Sequence, residues 1–257
     1  MSNKTIFFDI DGTIYDENKK VPPSTSEAIA ELKRLGHNVA IATGRAPYMF
    51  EGLREELEID SYVSMNGQLV VYKGETIYRN PISTDSLKSL TVFAEKQDHP
   101  VAYMDPYGMK VNVDTHVDIE TSIGSLKLAL PQHDAEYFLN HDIYQAMIFC
   151  PEDKETVYVN EYPDLYFIRW HSVCMDVLPK NGSKANGIAQ MMKALGVKKG
   201  DIYAFGDGLN DIEMLKFVGH GIAMGNAEHK VKEAASYVTR NVSDNGILEG
   251  LRMVGLL

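Results

Sequence analysis

The sequence predicts an α/β protein: a parallel sheet covered by helices, with a smaller α+β domain inserted near the middle. Three observations predict it. Short apolar runs alternate with segments of helical period at both ends of the chain, as in successive strand-helix-strand units. Three of those runs stop abruptly at Asp, Asn, Gly or Thr. Between about residues 82 and 178 the alternation breaks, and strands mix with helical segments around the turn signals Pro106-Tyr107-Gly108 and Pro163.

Residues 5–8 form a compact buried-strand run that ends at Asp9-Ile10-Asp11-Gly12-Thr13. Ser24, with Glu27 three residues on, reads as a capping box. It precedes Ala28, Ile29, Leu32 and Leu35 at helical spacing, with Gly36 as terminator. A second strand at 39–42 stops at Thr43-Gly44-Arg45. Pro47 suits the first turn of a helix carrying Met49, Phe50, Leu53 and Leu57 on one face. Residues 69–72 and 76–78, either side of Lys73-Gly74, read as a hairpin.

The insertion is expected to hold a helix over 84–96 and strands at 101–104, 109–113, 145–149, 166–170 and 174–178. Beyond it, Ile188, Met191, Met192 and Leu195 mark a helix face ending at Gly196. A strand at 202–205 stops at Gly206-Asp207-Gly208. A strand at 222–224, a helix near 228–235 and a strand at 237–239 follow. The expected organisation is a core of residues 1–81 and 179–257 interrupted by an inserted domain of residues 82–178.

Composition narrows the function classes. The 257 residues carry 25 Lys+Arg and 36 Asp+Glu, for a formal charge of −11. Hydrophobic and charged fractions of 44% and 24% are those of globular proteins, which argues against disorder, collagen-like repeats and a disulfide scaffold. An acidic surface disfavours nucleic acid and anionic membranes, whose binding relies on Lys and Arg. No apolar run approaches the roughly 18 residues of a membrane span, and the N-terminal run, stopped by Asp9, is too short for a signal peptide. The expected location is cytoplasmic. Cys150 and Cys174 lie in or beside apolar segments and read as inert buried thiols. Nothing in these features specifies an oligomeric state.

In an open parallel sheet, ligands bind beyond the carboxyl ends of the strands. Asp9 and Asp11 follow the first strand, Thr43 the second, and Asp207, Asn210 and Asp211 the late one, so the fold can gather them into one site. Taken singly, each segment is equally explained by turns and helix caps, where Asp, Asn, Gly and Thr are common. Taken together, two carboxylates after Phe8 and two more near Asp207, with no matching basic cluster, call for a cation. Mg²⁺ fits: it takes hard oxygen ligands and keeps several waters, leaving room for a phosphate. Zinc fits poorly, because none of the eight His residues pairs with a Cys or another His at zinc-ligand spacing.

Asp9-Ile10-Asp11-Gly12-Thr13, Ala42-Thr43-Gly44-Arg45, Gly182-Ser183-Lys184 and Gly206-Asp207-Gly208-Leu209-Asn210-Asp211 resemble the four ordered motifs of the haloacid dehalogenase superfamily. The insertion, Met224-Gly225-Asn226-Ala227 and Asn245-Gly246 resemble its Cof-type, subfamily IIB branch. The resemblance implies a Rossmann-like phosphatase core with an inserted α+β cap of the C2B type, and Mg²⁺-dependent hydrolysis of phosphate monoesters of small metabolites.

By the same resemblance, Asp9 is the expected nucleophile and Asp11 the general acid and base. Gly12 turns closely around the phosphate, Thr43 and the Gly44 amide hold a phosphoryl oxygen, and Lys184 balances charge. The implied metal ligands are Asp9, the Asp11 carbonyl, Asp207 and Asp211, the last directly or through water. Asn210 is a candidate phosphate contact. Arg45 suits either substrate contact or a surface ion pair, Lys180 competes with Lys184, and Asn66-Gly67 resembles a common Cof-type segment but is equally explained as an ordinary turn. In the insertion Trp170 reads as a packed strand residue. A phosphomutase, or a non-catalytic protein that binds a phosphorylated metabolite, are the alternatives to a phosphatase.

Overall fold

A computed structural model describes residues 3–126 and 128–257. Two compact units make up the chain: Met1–Arg45, Met49–Arg79 and Ser183–Leu257 form one, Ala46–Tyr48 and Asn80–Gly182 the other.

The N-terminal stretch contributes β1 (Thr5–Phe8), α1 (Pro23–Arg34), β2 (Asn38–Ala42), α2 (Glu51–Glu56), β3 (Tyr62–Ser64), β4 (Leu69–Tyr72) and β5 (Glu75–Arg79). The middle contributes α3 (Thr84–Glu95), β6 (Val101–Met104), β7 (Met109–Val111), α4 (Val117–Ser125), β8 (Gln132–His133), α5 (Tyr137–Asn140), β9 (Gln145–Ile148), α6 (Glu155–Glu161), β10 (Leu165–His171) and β11 (Cys174–Pro179). The C-terminal stretch contributes α7 (Lys184–Leu195), β12 (Ile202–Gly206), α8 (Ile212–Phe217), β13 (His220–Ala223), α9 (His229–Ala234), β14 (Tyr237–Val238) and α10 (Gly246–Met253).

In the first unit the strand order is β14-β13-β12-β1-β2-β3-β4-β5. Strands β14 through β3 run parallel, and β4 and β5 close the edge antiparallel. Their hairpin turns through Lys73 and Gly74, both at positive φ, as a tight two-residue turn requires. The central strands are buried along their length because helices cover both faces of the sheet. Phe7 and Ala204 pack with Ile188 and Met191 of α7 and Met214 and Leu215 of α8. On the other face Phe8 and Phe205 stack with ring centroids 5.0 Å apart, and Gly250 of α10 lies against Phe205.

One local expectation is corrected. Helix α1 starts at Pro23 with Pro22 in extended conformation as its N-cap, and no side chain caps it. Pro at the first helical position has the helical φ built in and no N–H to satisfy. Ser24 therefore lies inside the first turn, where it cannot act as the cap of a Ser24–Glu27 box. The segment from Pro47 is also split, into a 3₁₀ turn over Pro47–Phe50 and the short α2.

The second unit is a six-stranded sheet in the order β10-β11-β9-β6-β7-β8, antiparallel except for the β7/β8 pair. Its core gathers Leu87 and Leu90 of α3 with Val101, Tyr103, Ala146, Ile148 and Val177. Cys150 and Cys174 are buried free thiols. Arg169 is committed to structure, pairing with Glu155 at 2.6 Å and donating to the Cys150 carbonyl at 3.2 Å, while Trp170 is half-buried on β10. Among the described residues no helix is long and apolar enough to cross a membrane.

From β1 the chain moves to one side for β2 and β3, and it returns on the other side for β12. The strand order thus reverses between β1 and β12, and there the carboxyl ends of the strands open a crevice.

Candidate active site

Asp9 extends β1 by one residue: its N–H donates to the Phe205 carbonyl at 3.0 Å, which ties it to β12. Both Asp9 and Asp211 are buried. Asp211 is held by the loop it closes, its Oδ2 accepting from the backbone N–H of Asp207 at 3.0 Å and of Gly208 at 2.9 Å. Lys184 Nζ lies between the two carboxylates, 2.6 Å from Asp9 Oδ1 and 2.6 Å from Asp211 Oδ1.

That lysine arrives at the first position of α7, whose N-cap Ser183 accepts from the Asn186 N–H at 3.3 Å. The helix can start so deep because Gly67, at φ +94°, and Gly187 touch: a Cβ on either would strike the other's backbone or that of Ser183. Met65 and Asn66 precede Gly67, each at φ 50°. Left-handed non-glycine residues cost about 1–2 kcal/mol each, and this turn spends that strain beside the site. Lys180, the competing lysine, instead pairs with Asp164 at 3.4 Å.

Asp207, directly after β12, is gripped on both oxygens. Thr13 Oγ1 donates to Oδ1 at 3.3 Å and Asn226 Nδ2 to Oδ2 at 3.1 Å. Gly12, at φ +74°, lies so close that a Cβ would overlap the Asp207 carboxylate. Backbone conformation and proximity therefore both require glycine there.

Asp11 stands apart from this cluster. Arg45 holds it with two bonds, Nε to Oδ2 at 2.8 Å and Nη2 to Oδ1 at 2.7 Å, and Lys19 Nζ adds a third at 2.5 Å. Arg45 thus forms an ion pair with Asp11. Thr43 is buried at the end of β2, and its Oγ1 accepts from the Arg45 N–H at 3.1 Å. The Asn66 amide packs beside Gly44, and Asn210 Nδ2 donates to Asn66 Oδ1 at 3.3 Å. Asn66, Thr13, Lys19 and Asn226 thus belong to the site without having been assigned to it from sequence. The only signal for Asn226 was its place in the Met224–Ala227 motif, since no periodicity points to it.

Carboxylate oxygens of Asp9, Asp207 and Asp211 lie within 4.8 Å of one another. Burial, reinforced by Asp211, pushes Asp9 up to about 8 despite Lys184, and pushes Asp207 up to about 6. Against the burial that disfavours its charge, Asp211 and Asp9 hold the Lys184 ammonium above its ordinary value. Against its own burial, Asp11 is held below the ordinary carboxylate value by Arg45 and Lys19. Two buried carboxylates and a half-buried third, with one ammonium among them, are short of positive charge, and the carboxylate donor atoms are all hard oxygens. A divalent hard cation fits that set.

Where its strand order reverses, the doubly wound sheet brings Asp9, Asp207 and Asp211 together, with Lys184 between Asp9 and Asp211. The family model described as haloacid dehalogenase-like hydrolase matches residues 6–251, and the chain belongs to that family. Over 257 residues, all of both chains, it is 44% identical to the Bacillus subtilis (strain 168) protein named "Putative phosphatase YkrA". It is also similar to the solved structure of BT1666 from Bacteroides thetaiotaomicron, described among phosphatases of this superfamily. That match has a TM-score of 0.93 and 29% identity over 99% of this chain and 96% of the other. The structure of BT4131, described as a subclass IIB sugar phosphatase, matches with a TM-score of 0.88 and 30% identity over 99% of this chain and all of the other.

Proposed function

We propose that the protein is a Mg²⁺-dependent phosphatase that hydrolyses phosphate monoesters of small metabolites, sugar phosphates or phosphorylated cofactors, through a phosphoaspartyl intermediate on Asp9. The observation that carries this reading is the placement of Lys184 between Asp9 and Asp211, with Asp207 adjoining, where the strand order reverses. Kinship with BT4131, a sugar phosphatase by description, supports the substrate class.

In the first step an Asp9 carboxylate oxygen attacks phosphorus, the ester P–O bond breaks, and the departing alkoxide takes a proton from Asp11. In the second, water attacks the phosphoaspartyl phosphorus and gives its proton to Asp11. The Asp9–phosphorus bond breaks, releasing inorganic phosphate and restoring the carboxylate. Asp11 carries a proton only when released from Arg45 and Lys19, which favour its ionised form. Lys184, fixed and dehydrated, places positive charge beside the attacking oxygen at no reorganisation cost. Thr43 and the Gly44 amide donate to a phosphoryl oxygen, and Asn210 contacts the same group. Asp9, Asp207, Asp211 and the Asp11 carbonyl would hold Mg²⁺, which supplies charge neutralisation for the carboxylates and the phosphate dianion.

The test is phosphate release from a panel of sugar phosphates, nucleotides, FMN and pyridoxal phosphate, with Mg²⁺ and with EDTA, on wild type and Asp9→Asn. Release that requires Mg²⁺ and disappears in Asp9→Asn is expected. Release that survives EDTA, or survives in Asp9→Asn, overturns the mechanism. An isomeric sugar phosphate as product would make the enzyme a mutase, and tight binding without turnover would make it a sensor.

A further inference from the structure

We propose that Asn226 is a positioning residue that sets the affinity of the aspartate cluster for its divalent cation, by locking Asp207 to the Gly12 turn; this rests on the Mg²⁺ reading above. Asn226 follows β13, in the loop after Met224, whose N–H donates to the Gly206 carbonyl at 3.0 Å. That bond and the Gly225 N–H bond to the Arg240 carbonyl at 2.8 Å fix the loop beside the end of β12.

The side-chain amide has only one consistent orientation. The Val242 N–H donates to Asn226 Oδ1 at 2.9 Å, so the NH₂ group faces the other way. There it donates twice, to the Gly12 carbonyl at 2.9 Å and to Asp207 Oδ2 at 3.1 Å. Three segments distant in sequence are thereby joined through one amide: the Gly12 turn after β1, the Asp207 loop after β12 and the stretch at Val242.

A carboxylate with one oxygen held by Asn226 and the other by Thr13 cannot rotate without breaking a bond, so Asp207 is oriented before any cation arrives. Outer partners of metal-binding groups commonly contribute about 10- to 100-fold in metal affinity. Asn226 is solvent-exposed and its side chain fills no core space. Its replacement therefore opens no cavity in the core.

The test compares wild type with Asn226→Ala and with the apolar near-isostere Asn226→Leu. Mg²⁺ dissociation constants are measured calorimetrically, and the metal-free melting temperature is taken in EDTA. The expected result is Mg²⁺ binding weakened about 10- to 100-fold in both variants, with metal-free melting within about 2 °C of wild type. Unchanged Mg²⁺ affinity in variants of a wild type that binds Mg²⁺ overturns the role of Asn226 alone. A large fall in the metal-free melting temperature of both variants assigns the amide to fold stability and likewise overturns it. A wild type that does not bind Mg²⁺ overturns this role together with the metal-dependent function.

Discussion

Arg45 and Asp11 face each other as a bidentate pair, Nε 2.8 Å from Oδ2 and Nη2 2.7 Å from Oδ1, across the ends of β2 and β1. The pair joins two motifs 34 residues apart in sequence, and the Asp11 side chain is not among the clustered carboxylates of Asp9, Asp207 and Asp211.

Removing that arginine has a pH signature. Arg45 and Lys19 outweigh burial and hold Asp11 below the ordinary carboxylate value. The stability they confer is therefore present above the unfolded value near 4 and is lost as pH falls through the lower folded value. The Asp11 side chain is 41% exposed, so screening limits the contribution to about 1 kcal/mol or less. Arg45→Ala is expected to lower stability to urea by up to that amount at pH 7, and the difference should shrink toward pH 3. A difference that grows on acidification would contradict the pair's role.

Asp9 shows the opposite sign. Its folded value of about 8 lies above the unfolded one near 4. Between those pH values the folded, metal-free chain binds more protons than the unfolded one, so its stability falls as pH rises. Asp9→Asn is expected to flatten that decline, gaining most relative to wild type near pH 8. Denaturant melts in EDTA at pH 5 and pH 8 measure the two slopes, and parallel slopes would disprove the assignment.

Cation binding should displace protons. Asp9 and Asp207 titrate at about 8 and about 6 in the metal-free chain, and carboxylates bind metal only when ionised. Mg²⁺ affinity is expected to weaken steadily as pH falls from 8 to below 6. Calorimetry near pH 7, in buffers of different ionisation enthalpy, is expected to report release of about one proton. A buffer-independent heat would exclude the coupling.

Lys184 is both catalytic candidate and keystone. Its ammonium is buried against Asp9 and Asp211, and loss of one partner from a buried ionic group costs about 3–5 kcal/mol. Lys184→Met is expected to destabilise the metal-free protein by that order at pH 7. The folded value lies above the unfolded one near 10.4, so the contribution is complete at pH 7 and is lost only as pH rises through the folded value. Chemical denaturation at pH 7 measures it, and a change under about 1 kcal/mol would show that no buried charge depends on the lysine.

Much of the first unit was legible because its central strands are apolar runs of a kind that only a sheet covered on both faces produces. Positions 5–8, 39–42 and 202–205 are strands, and the Lys73-Gly74 turn is a hairpin. In the middle, α4, β8, α5 and α6 escaped a residue-level reading because they are short and their polarity follows the local packing of one small sheet. At α1, a local capping pattern lost to proline, whose fixed φ outweighs a side-chain hydrogen bond.

By itself, the sequence determined which chemical groups follow the strands, carboxylates at Asp9, Asp11, Asp207 and Asp211 and a hydroxyl at Thr43, and which amine opens the late helix, Lys184. It also determined their order, because the apolar runs that become strands are local features. Tertiary structure decided which of these groups meet. Lys184 rather than Lys180 reaches Asp9 because Gly67 and Gly187 let α7 descend onto the turn after β3. Arg45 pairs with Asp11 because β2 lies beside β1, and Asn226 reaches Asp207 because β13 lies beside β12. Such pairings depend on distances of a few ångströms between residues up to about 200 positions apart, and only the packed sheet sets those distances.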